Sequence, residues 1–232
     1  MNKSKKIGLI VTLIFTFLLY VNNALIVDNS LTIKDKSAIK ALDVSDICSQ
    51  RIGLEFYEEI ECLASIQKAV QGIGTNNCAQ KNDIIEPYEF LKRGYGCCFD
   101  RARFIEKAAR YFGYETRRVF IIQPKYGVSL TNTLPLSQVS HAASEVLTIK
   151  GWIGIDSNEP FLLLDKHSNP KTYRLALDSI DEFPMMVPRT FFVENSVVKD
   201  FDIIYGLYSR HGNFHGINLP GPEFVISELL WN

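Results

Sequence analysis

The sequence predicts an α+β fold, because two amphipathic helices come before an antiparallel meander of short strands. In the first helix, between 52 and 73, apolar residues recur at spacings of three and four, at Ile60, Leu63, Ile66 and Val70. The same spacing recurs from Cys98 to Phe112 and predicts a second helix. Beyond it, β-branched and aromatic residues over 116–123, 141–149 and 152–156 predict strands.

Local signals set the ends of these elements. Gly72 follows the first helix and Gly113 follows the second, as glycines often do at helix ends. A short helix is predicted from Glu86 to Lys92. The charged residues of the second helix are expected on its solvent side, away from the apolar face: Arg101, Arg103, Lys107 and Arg110, with Glu106 and Arg110 forming a pair.

Composition limits the classes of protein to which the chain can belong. Of its 232 residues, 47% are hydrophobic and 22% are charged, which is typical of a globular protein. The net charge is −1, and without Lys3, Lys5 and Lys6 it becomes −1 − 3 = −4. A mildly acidic domain without a basic stripe or zinc-finger spacing is not expected to bind nucleic acid.

The first residues predict a membrane-targeted chain. Met1 to Lys6 is basic, and the 21 residues from Ile7 to Val27 carry no charge. Because about 20 apolar residues span a bilayer, residues 1–27 are expected to form one N-terminal transmembrane helix, with the membrane as a partner and the rest in the periplasm or outside the cell. A cleaved signal peptide, which would leave a secreted domain, is the alternative, and a buried core helix is a third.

The remaining chain divides by polarity. Residues 28–47 are polar and are expected to form a stalk, 48–199 a folded domain, and 200–232 a C-terminal extension packed on it. Outside the cytoplasm, four of the five cysteines could form up to two disulfides, with three connectivities open, if the fifth is a reactive thiol. Cys62 could equally be a small core residue.

Three residues have the chemistry of a thiol-dependent site. Cys98 begins a predicted helix after the turn Arg93 to Gly96, and a helix N-terminus favours the reactive thiolate. His141 begins one strand, and Asp156 ends the next, 156 − 141 = 15 positions later. If these strands pair, the carboxylate can orient the imidazole and the imidazole can activate the thiol.

Three motifs in this order resemble the core of transglutaminase-like proteins, which have a papain-like Cys-His-Asp site. The first is Gly96-Cys97-Cys98, with Ala102, Gly113 and Arg117 at the family's positions. The others are His141-Ala142 with Glu145-Val146, and Trp152 with Asp156. The resemblance covers Ile52 to Leu164, and it implies a transglutaminase-like core with Cys98 rather than Cys97 as nucleophile and with Cys98, His141 and Asp156 as the catalytic triad.

The resemblance implies acyl chemistry through a Cys98 thioester, either hydrolysis, as in a cysteine protease or amidase, or transfer to an amine. The expected substrate is an extracytoplasmic peptide or surface polymer, with no cofactor and no metal. The alternative is a non-catalytic binding module of the same fold that serves in envelope or surface-polymer assembly. Substrate binding is assigned to Tyr95, which lies just before the nucleophile, to Trp152, and to Arg210 in a lid-like C-terminal segment.

Overall fold

The computed structural model describes residues 3–25, 27–48, 50, 53–78, 84–123, 139–178, 192–193, 196–197, 202–205 and 211–212. The chain forms two compact units, Met1–Asp28 with Leu207–Asn232, and Asn29–Gly206. The first unit contains helix α1 (Lys3–Leu25). The second contains the other helices and the strands of the described residues. The α+β class is therefore confirmed, whereas the transglutaminase-like identity of the core stays a prediction.

The predicted transmembrane helix is wrong. Helix α1 has 23 residues, yet in the part of the chain that the structure describes no helix is long and apolar enough to cross a membrane. Among the residues of α1 whose side chains are described, the exposed large apolar ones lie between Ile7 and Leu19.

Polar residues explain why the uncharged run misleads. Thr12 and Thr16 interrupt it, and their hydroxyls donate to backbone carbonyls one turn earlier, at Gly8 and Thr12. Asn22 and Asn23 follow before the helix ends at Leu25. Absence of charge is therefore a weaker criterion for a membrane span than a continuous apolar surface.

Five helices belong to the second unit: α2 (Ile33–Lys40), α3 (Phe56–Gln71), α4 (Pro87–Arg93), α5 (Cys98–Tyr111) and α6 (Tyr173–Leu177). The predicted helices at 52–73, at Glu86 to Lys92 and after Cys97 are found as α3, α4 and α5, with ends that differ by a few residues. The local periodicity and glycine signals that predicted them act within each segment, so they survive folding.

Helix α2 lies in the segment predicted to be a stalk. Thr32 caps it, because its hydroxyl accepts from the Asp35 N–H and the Asp35 carboxylate accepts from the Thr32 N–H. Ala38 and Ile39 are 1% exposed and belong to the main hydrophobic core. Residues 29–48 are therefore part of the folded domain, and Ala38 and Ile39 in an otherwise polar helix were too weak a signal to predict this.

Strands β3 (Glu115–Gln123), β4 (Val139–Thr148), β5 (Gly151–Ile155) and β8 (Asp202–Ile204) form an antiparallel sheet in the order β5-β4-β3-β8. Two two-stranded pairs complete the described strands: parallel β1 (Thr75–Asn76) with β2 (Tyr95–Gly96), and antiparallel β6 (Phe192–Val193) with β7 (Ser196–Val197). Because β8 pairs with β3, the domain continues past its predicted end at 199.

The sheet has one hydrophobic cluster on each face, as the alternation of strand side chains requires. On one face, Val146 and Ile153 pack in the cluster that contains α3 and α5. On the other, Ala143 packs with Leu163 and with Tyr173 of α6. The sheet is thus covered on both sides, and the end of β4 that carries His141 lies in a dry part of the domain.

Helix α5 is buried on all sides, contrary to the prediction of a solvent-exposed charged face. Arg103 is 0% exposed and Lys107 is 3% exposed. Arg103 Nη2 lies 2.8 Å from Glu86, and Lys107 Nζ lies 2.8 Å from both Glu86 and Asp35. The polar face of α5 is therefore covered by α2 and by the residue before α4, which supply the neutralising carboxylates.

Candidate active site

The turn before α5 is shaped by two glycines. Gly94 ends α4 with φ = 70°, a left-handed conformation that glycine adopts without strain. At Gly96, a Cβ would lie 2.6 Å from the Phe90 ring and 2.8 Å from the Asp100 Cβ, so a side chain does not fit. This close packing fixes the direction in which the chain enters α5 at Cys98.

The first turn of α5 leaves backbone donors available. The Cys97 N–H donates to Asp100 Oδ2 at 2.9 Å, and the Arg101 N–H donates to the Cys97 carbonyl. Among the described residues, no hydrogen bond uses the N–H groups of Cys98 and Phe99. A helix N-terminus with free N–H groups attracts a negatively charged oxygen, so this turn can stabilise an oxyanion formed next to Cys98.

All five cysteines are described, and four of them form disulfides. Cys48 pairs with Cys62, and Cys78 pairs with Cys97. Cys98 is the free thiol, and it is 7% exposed. Cys97 is therefore engaged in a bridge to the preceding loop, which leaves Cys98 as the one thiol available for chemistry.

The paired strands bring His141 and Asp156 together. Ile155, the last residue of β5, lies opposite Ser144 of β4, so Asp156 emerges beside the end of β4 that holds His141. His141 Nε2 lies 2.8 Å from Asp156 Oδ2. The two residues are 4% and 1% exposed, so this contact is shielded from water.

Cys98 is among the groups that raise the pKa of His141, which places its thiol near the imidazole ring. Because Asp156 occupies Nε2, Nδ1 is the ring nitrogen left for the sulfur. Cys98, His141 and Asp156 thus come near one another from three separate elements of the fold. A nucleophile next to a base, with the base oriented by a third group, is the general arrangement for nucleophilic catalysis.

No protein-family model, curated protein or solved structure matches this chain. The transglutaminase-like resemblance of its motifs therefore stays a prediction. The chemistry that this site can perform follows from its own atoms, their protonation and their neighbours.

Opposing effects set the protonation of the buried pair. Burial alone would lower the pKa of His141, but the charge and hydrogen bond of Asp156, with a smaller effect of Cys98, raise it to about 10. Burial would raise the pKa of Asp156, but the His141 charge and hydrogen bond, together with the N–H groups of Glu159 and Asn158, lower it. At neutral pH the pair is therefore an imidazolium with a carboxylate.

This pair is expected to make stability depend on pH. A histidine whose pKa rises on folding, from 6.5 to about 10, stabilises the fold fully below pH 6.5, and the contribution is lost as pH rises towards 10. A carboxyl whose pKa falls on folding contributes above 3.8 and loses that contribution as pH falls further. The pair therefore contributes most to stability between about pH 3.8 and pH 6.5.

The measurement is a series of urea unfolding curves from pH 6.5 to 9.5 in Cys98→Ala, in which no thiol titration adds to that of His141. The free energy of unfolding should fall with pH. In the double variant Cys98→Ala/His141→Gln, the free energy of unfolding should fall less over this pH range, because the titration of His141 no longer contributes. Parallel pH profiles of the two proteins would contradict the ion pair.

Several residues that support the site carry no motif. The Tyr173 hydroxyl donates to Asp156 Oδ2 at 3.3 Å, and Gln67 Nε2 donates to the Asp156 carbonyl at 2.8 Å. The N–H groups of Asn158 and Glu159 donate to Asp156 Oδ1 at 2.8 Å each. Gln67 could have been noticed as a polar residue on the apolar face of its helix, whereas nothing in the sequence marks Tyr173.

Trp152 lies apart from the other predicted site residues. Its strand position is opposite Leu147, which is 147 − 141 = 6 residues from His141 along β4, or about 20 Å at the rise of an antiparallel strand. The Arg117 guanidinium lies 4.2 Å from the Trp152 ring and bonds to buried Glu145. The structure thus gives Trp152 a packing role and does not bring it to the triad.

Tyr95 lies three residues before Cys98, as its proposed role requires. Its ring is half-buried beneath the Arg93 guanidinium at 5.2 Å, and no described hydrogen bond joins its hydroxyl to the triad. Arg210 lies outside the described residues. Within the described residues, no group of three or more His, Cys, Asp and Glu side chains could hold a metal ion.

Proposed function

We propose that this chain is a cysteine acyl-transfer enzyme of the transglutaminase-like type, acting as a hydrolase or an acyltransferase. One observation supports this function above the others. The single thiol outside a disulfide, Cys98, lies near a buried imidazole that is itself held at 2.8 Å by a carboxylate. An imidazolium beside sulfur favours the thiolate, which is the nucleophilic form.

In the first half-reaction, the Cys98 thiolate attacks the carbonyl carbon of an amide or ester. The carbonyl oxygen becomes an oxyanion, which the free N–H groups at the start of α5 stabilise. The His141 imidazolium then gives its proton to the leaving nitrogen or oxygen. The bond to the leaving group breaks, and an acyl thioester of Cys98 and a neutral imidazole remain.

In the second half-reaction, the neutral His141 takes a proton from water or from an amine, which attacks the thioester. The Cys98 thiolate leaves, and the imidazolium is restored. Water gives net hydrolysis, and an amine gives net acyl transfer. Asp156 keeps the imidazole oriented and stabilises its charged form in both halves.

The two disulfides support a location outside the reducing cytoplasm. The basic residues at the N-terminus and the apolar stretch after them suit a secretory signal peptide, so export of the domain is part of the proposal. Peptides and surface polymers with amide bonds are the substrate class that such a location offers.

Alkylation by iodoacetamide at pH 6 tests this function. An ordinary thiol, with a pKa of about 8.5, is almost fully protonated there, so Cys98 should react at least tenfold faster than free cysteine. His141→Ala should remove this advantage, and His167→Ala, a change of an exposed histidine, should preserve it. A Cys98 that reacts no faster than free cysteine would exclude the enzyme and favour the binding module.

The thioester itself is tested with p-nitrophenyl acetate. Wild-type protein should release p-nitrophenol and gain one acetyl group, which intact-mass spectrometry detects. Cys98→Ala should do neither. Release of p-nitrophenol without dependence on Cys98 would assign the reaction to another group.

A further inference from the structure

Arg101 is a buried cation next to the candidate nucleophile. It follows Cys98 by three residues on α5, so the two side chains leave the same face of the helix. Arg101 is 4% exposed. Cys98 is among the groups that raise the pKa of Arg101, which also indicates that the guanidinium lies near the sulfur.

The hydrogen-bond partners of Arg101 are neutral. Its Nη1 donates at 2.9 Å to Asn76 Oδ1 and at 2.9 Å to Asn158 Oδ1. Its buried Nε has no hydrogen-bond partner among the described residues. Burial lowers the pKa of Arg101, while the charges of Asp100 and Cys98 raise it.

Other buried cations of the domain are neutralised within the fold. Arg103 faces Glu86, Lys107 faces Asp35, and Arg118 faces Glu106, each at 2.8 Å. No described carboxylate lies within ion-pair distance of Arg101. A buried donor without an acceptor destabilises a fold, so one that is retained next to the candidate nucleophile indicates an acceptor supplied from outside.

We propose that Arg101 binds a carboxylate group of the substrate beside Cys98, so that the preferred acyl donor carries a negative charge close to the reacting carbonyl. The inference rests on the proposed function and adds a substrate class to it. Asn76 and Asn158 hold Nη1, which leaves Nε and Nη2 for the carboxylate. This edge of a guanidinium matches the two oxygens of a carboxylate.

Two alkylating reagents of almost equal size test the proposal. Iodoacetate carries a carboxylate and iodoacetamide a neutral amide, and both react with a thiolate. The ratio of their rates at Cys98 therefore cancels any change in the thiolate fraction. Arg101→Gln should lower the iodoacetate-to-iodoacetamide ratio by about tenfold, the effect of losing one charge-assisted hydrogen bond.

Matched variants distinguish a direct contact of Arg101 with the reagent from an effect of the protein's net charge. Lys68→Gln removes an exposed cation of α3 and should leave the ratio unchanged. Arg101→Lys keeps the charge without the planar edge and should give an intermediate ratio. Equal ratios in wild type and Arg101→Gln would overturn the carboxylate site.

A binding measurement remains informative if Cys98 is inert or if Arg101→Gln does not fold. In Cys98→Ala, propionate should raise the unfolding temperature saturably and propionamide should not. Stabilisation by propionate together with an unreactive Cys98 would reject the enzyme and keep the carboxylate site. Fast alkylation of Cys98 without stabilisation by propionate would reject the carboxylate site and keep the enzyme.

Discussion

Asp156→Asn is expected to lower the turnover of p-nitrophenyl acetate by about a thousandfold while the domain stays folded. An asparagine amide can still bond to His141, but it carries no charge to hold the imidazole in its protonated form. The Asp156 charge is the largest influence that raises the pKa of His141, and burial opposes it. Without that charge, the pKa of His141 falls, and the protonated imidazole that the proposed mechanism requires is lost.

Steady-state turnover of p-nitrophenyl acetate and the pH profile of Cys98 alkylation measure this effect. Asp46→Asn is the control, since it makes the same chemical change at an exposed carboxylate. Far-ultraviolet circular dichroism establishes that Asp156→Asn is folded. Turnover within threefold of wild type in a folded Asp156→Asn protein would remove Asp156 from the mechanism.

Arg103→Met is expected to lower the free energy of unfolding by about 3–5 kcal/mol. The side chain is 0% exposed, and its Nη2 and Nε bond to the two oxygens of Glu86 at 2.8 and 3.2 Å. Burial lowers the pKa of Arg103, but the charges of Glu86 and Glu106 raise it above its usual value. Methionine fills similar volume, so the cost comes from carboxylates that stay buried with one cation fewer.

Urea unfolding of wild type and Arg103→Met gives this difference, provided that the dependence on denaturant is unchanged. Lys68→Met, at an exposed site on α3, should change stability by less than about 0.5 kcal/mol. Adding Glu86→Gln to Arg103→Met should restore part of the loss, because the buried cluster then again holds as many carboxylates as cations. A loss under 1 kcal/mol in Arg103→Met would show that this cluster contributes little to stability.

For α5, the start of the helix could be predicted from the sequence, but the burial of its charged residues could not. Its start at Cys98 follows from the glycine turn and from the spacing of apolar residues, which are local properties. Its charged residues looked solvent-exposed because a helix face with Arg103, Glu106 and Lys107 is usually wet. The carboxylate partners of Arg103 and Lys107 come from Asp35 and Glu86, and no local sequence pattern indicates a contact over such a separation.

In the candidate active site, likewise, the residue types could be predicted from the sequence, but their contacts could not. Cys98, His141 and Asp156 could be selected by residue type and by motif, but the 2.8 Å contact depends on the pairing of β4 with β5. Asn76 and Asn158, which hold Arg101, are 25 and 57 residues from it and belong to no motif. The connectivity of the disulfides was open for the same reason, since three pairings of four cysteines fit one sequence.

The sequence by itself determined the α+β class, the positions of α3, α4 and α5, the three long strands, and the choice of candidate chemical groups. These depend on periodicity, turn residues and side-chain chemistry, which act over a few residues. Tertiary structure alone decided that α2 joins the core, that α5 is buried with its charges, and that Cys97 is bridged while Cys98 stays a thiol. These features depend on which segments, distant along the chain, pack against one another. The free energy gained by removing their surfaces from water arises only when the whole domain is assembled.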